Sequence, residues 1–175
     1  VGHPLEQKRR SPLESEEEQE KFRAKASLFL NQDPAKWPKL LFNWDTTEAG
    51  QIYSLDNGTH HGNFYDYYPN GFILGVIPLV EFDSYLCHYS RRDGNELWKL
   101  GNPHDLAYLI AYLAEGKPIS PPLVKPTDNR EVILLGGHHR YAAAKAVNLE
   151  SVLLYSLPEH IDALNSFMNI QWSKT

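Results

Sequence analysis

Apolar residues recur at helical spacing early in the chain and in strand-like runs further on. Phe22, Ala26, Phe29 and Leu30 are spaced three and four apart, which puts them on one face of a helix. Ser11-Pro12-Leu13-Glu14 supplies a capping Ser, a Pro in the first helical position and a Glu three residues after the cap. We therefore expect a helix from there to about Leu30, with Glu17 placed four residues ahead of Lys21 as a favourable pair. Its acidic run, Glu16 to Glu18, reads as a solvated face or, less commonly, as a partner-docking surface. Pro34 and Pro38 end the pattern.

From Leu40 to Val80 aromatic and β-branched residues dominate, punctuated by Asp56-Asn57-Gly58 and Pro69-Asn70-Gly71. Such turn residues supply the positive φ angles of tight hairpins, so antiparallel, aromatic-rich β-hairpins are expected here. Phe64, Tyr65, Tyr67 and Tyr68 suit strand packing, or stacking on nucleobases. Downstream the expected order is a strand over 73–81, an irregular polar segment over 89–97, and a helix from Asn102-Pro103 to Glu115. A strand over 123–125, a hairpin, a strand over 131–135, a helix over 138–147, a strand over 151–155 and a helix over 159–168 complete it. Gly116 and Asn148 suit the ends of two of those helices. The fold class is α+β (mixed α/β), with residues 1–39 as an N-terminal helical extension and 40–175 as one domain.

Bulk properties narrow the partners. The chain has 175 residues and a net charge of -5, which argues against a generally basic nucleic-acid binder and leaves only local patches for DNA. Candidates for such a patch are Arg91, Arg92, Lys125 and Arg130, with Lys99 and Lys117, although loop cations more often serve solubility. The single cysteine, Cys87, excludes an internal disulfide framework and fits a reducing cytosol. No apolar run is long enough to span a bilayer as a helix. Because Val1 heads the chain and Met168 is its one methionine, the translation start is expected upstream.

Chemistry concentrates in one place. Val132-Ile133-Leu134-Leu135 is an apolar, strand-like run, followed at once by Gly136-Gly137 and then by His138-His139-Arg140-Tyr141-Ala142-Ala143-Ala144-Lys145, rich in helix formers. Glycines at a strand-to-helix join let a ligand approach the first amides of the helix, where N–H groups and the dipole favour an anion. The same glycines also suit a tight packing turn. Arg140 adds a planar fork of donors for a phosphate, and the histidines add donors or a base. Successive helical side chains diverge by about 100°, so one histidine, His139, is expected to share a ligand with Arg140. Neither His138-His139 nor His60-His61 has the spacing of a metal pair on a helix, and no protein-built metal site is expected.

The stretch from Gly136 to Ala146, with Leu149-Glu150-Ser151-Val152 after it, resembles the signature region of the ParB/sulfiredoxin superfamily, in which a Gly-x-His-Arg or Gly-x-Arg-Arg helix start binds nucleotide phosphates. Val76-Ile77-Pro78-Leu79 resembles that family's first strand, and Asn102-Pro103-His104-Asp105-Leu106 its next helix, so the resemblance covers residues 75–157. His138 stands where sulfiredoxins carry a nucleophilic cysteine, so sulfinic acid reduction is not expected. Asp105, Tyr108 and Tyr112 replace the lysine and hydroxyl contacts that sulfiredoxins make to ATP. Twenty residues follow Tyr155, too few for the helix-turn-helix and dimerisation domain of partition-type ParB proteins.

The resemblance implies a stand-alone module, similar to the Osa-type plasmid fertility inhibitors, with ATPase and DNase activity in a bacterial cytoplasm. Interference with plasmid or T-DNA transfer, through a DNA-transfer protein, is the setting it suggests. The cofactors would be ATP or a related nucleotide and Mg2+. His138 or His139 would serve as base. Asp105 would orient water or lie near the metal, with Glu96 and Asp93 as reserves, although an acid in a first helical turn is also simply favoured by the dipole. Two alternatives remain: a non-catalytic, nucleotide-gated regulator that binds DNA or protein, and a small-molecule kinase of the free-serine type, which shares the Gly-His-His-Arg run.

Overall fold

The computed structural model describes residues 15–55 and 63–173. The first helix, α1 (Glu16–Ser27), is capped by Ser15, whose Oγ accepts from the Glu18 amide at 3.2 Å. Its three leading glutamates sit at the positive end of the helix dipole, and Glu17 pairs with Lys21 at 3.4 Å. The cap expected at Ser11 lies outside the described residues.

The long helix α5 (Pro103–Ala114) begins at Asn102, whose side chain accepts from the His104 amide at 2.9 Å. Residues Leu106 to Leu113 are all buried, as expected for a helix that is apolar on every side. It is covered on one side by α1, through Ala26 and the edge-on pair Phe22–Tyr108, whose ring centres lie 4.8 Å apart. On another side it meets α6 (His138–Ala146), where Ala143 is buried in the same cluster.

A five-stranded mixed sheet carries the second core. Its strands are β2 (Ile73–Pro78), β4 (Leu123–Pro126), β5 (Val132–Leu134), β6 (Ser151–Ser156) and β7 (Gln171–Trp172), in the order β5-β4-β6-β2-β7. The β4–β6 pair is parallel and the other pairs are antiparallel. Ile77, Phe82, Val132, Leu154 and Tyr141 fill the core beneath it. A separate two-stranded parallel pair joins β1 (Asn43–Trp44) to β3 (Pro118–Ile119). The architecture is α+β.

Several expected elements differ. The strand begun at Ile73 stops at Pro78 instead of Glu81, and a short helix, α3 (Leu79–Tyr85), takes over. Proline lacks the N–H that a ladder needs, which makes it a natural terminus. The polar segment opens with a helical turn, α4 (His88–Arg91). The closing helix is split into a 3-10 turn, Pro158–His160, and α7 (Ile161–Asn165).

The aromatic hairpins are absent among the described residues. Ala49–Ser54 forms a 3-10 helix, Phe64–Tyr67 forms α2, and Pro69-Asn70-Gly71 turns from that helix into β2. The Asp56-Asn57-Gly58 turn and His60-His61 lie outside the described residues. The reason is spacing. Phe64 and Tyr68 stand one helical turn apart with ring centres 5.4 Å apart, and Phe72 returns to Tyr68 at 5.1 Å from beyond the Pro69-Asn70-Gly71 turn, contacts that outweigh the strand preference of aromatic residues.

Candidate functional site at the start of helix α6

Strand β5 runs directly into the Gly136-Gly137 turn. The Leu135 amide donates to the Leu123 carbonyl at 2.8 Å, closing the ladder against β4, and the Tyr141 amide donates to Gly137 O at 2.8 Å, opening α6. Gly137 has φ +87, and a Cβ there would meet Pro122 Cβ at 2.8 Å and Arg140 Cζ at 3.2 Å. Glycine is therefore needed twice, for the left-handed backbone and for the close approach of Pro122. As the N-cap residue it also brings no side-chain oxygen to the first-turn amides.

Three consecutive side chains of that first turn reach different parts of the molecule. Arg140 is 2% exposed, and its guanidinium donates from Nη1 to Ser120 O at 2.6 Å and from Nη2 to Ser54 O at 3.3 Å. Ser120 in turn donates from Oγ to Gly50 O. Arg140 thus ties α6 to the segment before β4 and to the end of the Ala49–Ser54 turn. His139 is half-buried, and its Nδ1 accepts from Nη1 of Arg92 at 3.0 Å. His138 is half-buried with Tyr89 edge-on to its ring, the centres 5.9 Å apart and the planes at 76°.

Arg92, expected with Arg91 as a cation of a local DNA patch, is instead 7% exposed and sits in the left-handed region, φ 51, at the end of α4. Gly101 makes room for the pair, since a Cβ there would lie 3.0 Å from both Arg92 Nη2 and His139 Cε1. That contact brings the entrance of α5 beside His139, with Asp105 half-buried in the first turn of the same helix.

An ionic cluster fixes the segment that carries Tyr89 and Arg92. Lys145 reaches Asp83 at 3.1 Å, Asp93 at 3.0 Å and the Arg91 carbonyl at 2.8 Å. Arg91 pairs with Asp93 through Nε at 2.8 Å, and the Tyr141 hydroxyl donates to Asp83 at 2.6 Å. The hydrogen bond from Lys145, supported by Arg91, holds the Asp93 carboxyl below the usual carboxylate range in spite of its partial desolvation. Burial, then the bond to Asp83, pushes the Tyr141 hydroxyl far above its ordinary value. Glu96, the other reserve acid, faces His88 Nε2 at 3.8 Å.

The structure therefore gathers Gly136, Gly137, His138, His139 and Arg140 with Arg92 and Tyr89. Arg91 and Asp93 lie in the neighbouring ionic cluster. Lys125 and Arg130 are exposed on β4 and on the turn before β5, with Arg130 donating to Ser166 O at 3.4 Å, so strand β5 separates Arg130 from the Gly136-Gly137 turn. Sequence reasoning missed the inward turn of Arg92, the room left by Gly101 and the carbonyls of Ser54 and Ser120. Cys87 lies at the head of α4, its Sγ 3.6 Å from Ser90 Oγ, and not at the glycine turn.

Among the described residues no three His, Cys, Asp or Glu side chains come together to hold a metal ion, and no helix is long and apolar enough to cross a membrane. Comparison of the chain with protein-family models, with curated proteins and with solved structures gives no match.

Proposed function

We propose that this chain binds a nucleotide, ATP or a close relative, by its phosphates at the Gly136–Arg140 turn, hydrolyses it and acts on DNA, as an ATPase and DNase of the ParB/sulfiredoxin type. The observation that supports this most is charge placement. The guanidinium groups of Arg92 and Arg140 are both buried beside the first turn of α6, and a guanidinium stays protonated when buried. Arg140 within that turn and Arg92 against His139 then add two positive charges to the dipole of the same sign at the start of α6.

His139 and His138 take different parts. A guanidinium has donors only, so the ring nitrogen facing Arg92 is the bare one and the proton of His139 sits on Nε2. His139 is then a hydrogen-bond donor to a phosphate oxygen, and His138 is the candidate base. Mg2+, which neutralises charge on the transferred phosphoryl group, would arrive on the nucleotide, and Asp105, the acidic side chain in the first turn of α5, would hold it or its water. His138 in place of a cysteine removes the thiol that sulfinic acid reduction requires.

A nucleotide-gated regulator is the second reading, and one observation favours it. Arg140 already spends donors on Ser54 O and Ser120 O, so a phosphate drawing on that guanidinium would loosen the Ala49–Ser54 segment and report binding at a distance.

Incubation of the pure protein with ATP and Mg2+, with and without supercoiled plasmid or free serine, tests these readings. Phosphate release or plasmid nicking that is lost in His139→Ala supports the enzyme. Nucleotide binding without turnover supports the regulator, and phosphoserine the kinase. No nucleotide binding, or turnover indifferent to His139→Ala, contradicts the proposal.

A further inference from the structure

Tyr89 is 72% exposed, yet it is not a loosely hung side chain. It sits in α4, whose backbone is held at both ends. The Cys87 amide donates to Val132 O at 2.9 Å, and Lys145 grips the Arg91 carbonyl at 2.8 Å. Inside the turn, Ser90 Oγ accepts from the Leu134 amide at 3.3 Å. The ring is therefore presented to solvent by a fixed element.

Its position is specific as well. Tyr89 stands edge-on to His138, the first residue of α6, at 5.9 Å between ring centres, while Arg92, three residues on, reaches His139. One short stretch thus places an exposed aromatic ring and a cation beside two successive residues of the turn to which we assign phosphate. A nucleotide has the same two parts, a π face and an anionic tail joined by a ribose. A π face offered to solvent beside the anion site suits any base, because stacking does not depend on a particular hydrogen-bond pattern.

Resting on the phosphate reading, we infer that Tyr89 is the platform on which the base of the bound nucleotide stacks, with the phosphates at Gly136–Arg140. The site then prefers nucleoside triphosphates to inorganic polyphosphate and discriminates weakly among bases.

Calorimetric titration with ATP and with tripolyphosphate, each with Mg2+, tests this on wild-type protein, Tyr89→Leu and Tyr89→Phe. Because the side chain is exposed, neither change disturbs the core. The expected result is that Tyr89→Leu weakens ATP binding about ten-fold and leaves tripolyphosphate binding unchanged, while Tyr89→Phe keeps wild-type ATP affinity. Unchanged ATP affinity in Tyr89→Leu, or an equal loss for both ligands, overturns the inference while leaving the phosphate site in place. Failure of both ligands to bind the wild-type protein overturns the phosphate reading and this inference with it.

Discussion

Nη1 of Arg92 donates to Nδ1 of His139 at 3.0 Å, and Gly101 leaves the space in which the two side chains meet. The pair joins the end of α4 to the first turn of α6, so the imidazole is held by a residue 47 positions earlier in the chain. Because the guanidinium cannot accept, this contact also selects the tautomer of the ring.

Nitrogen NMR of the His139 ring reads that selection directly. In the wild-type protein the Nδ1 resonance should be that of a bare, hydrogen-bonded nitrogen and the Nε2 resonance that of a protonated one. Arg92→Gln should relax this to a mixture of tautomers. Identical spectra in the two proteins would remove Arg92 from the role of positioning residue.

Gly137 and Gly94 both have positive φ, +87 and +58, but a Cβ at Gly94 meets nothing within 4 Å whereas one at Gly137 meets Pro122 at 2.8 Å. Gly94→Ala should therefore cost only the left-handed strain, about 1 kcal/mol. Gly137→Ala should cost about 3 kcal/mol, because strain and collision add. Urea midpoints compare the two, and equal losses would contradict the packing described for the turn.

Arg140→Lys keeps the charge but loses the fork that spans Ser120 O and Ser54 O. Leaving one buried carbonyl unsatisfied costs about 1–3 kcal/mol, so a lower urea midpoint is expected. Amide exchange should also speed up in the Ala49–Ser54 segment, which Arg140 ties to α6. Unaltered exchange there would show that the tie carries no load.

Acid stability should depend on Asp93. Its carboxyl titrates below the usual range in the folded protein because of Lys145 and Arg91. The stabilisation is therefore present above the unfolded-state value of about 3.9 and is lost as pH falls through the lower folded value. The urea midpoint of Asp93→Asn should lie below wild type by a constant amount above about pH 5, and the gap should close as pH drops under the ordinary carboxylate range. The side chain is 40% exposed, so solvent screening keeps the effect small. A gap independent of pH down to acid unfolding would contradict the pairing.

Much of the fold was legible from local pattern. The run Val132 to Leu135 before two glycines and an alanine-rich stretch marks a strand, a turn and a helix, and Asn102-Pro103 marks the start of α5, as found. The aromatic segment is misleading because strand preference and spacing compete there, and Phe64 and Tyr68 stand one helical turn apart. Strand β7 is two residues long and exists only by pairing with Gly75 and Val76. Its one local hint is Gly75, where a Cβ would meet Ile170 at 2.6 Å. Arg92 was illegible for a different reason. Nothing near it in the chain distinguishes the buried Arg92 from Arg91, its half-buried neighbour in the ionic cluster, because the burial is set by α6 and Gly101.

The claim at the centre of this account is that phosphate binds at the start of α6. A titration of isotopically labelled protein with MgATP, followed by amide NMR, addresses it without requiring turnover. The account predicts saturable shifts that are largest at the amides of Gly136, Gly137, His138, His139 and Arg140. No saturable shift, or shifts centred elsewhere in the fold with that turn unmoved, would contradict it.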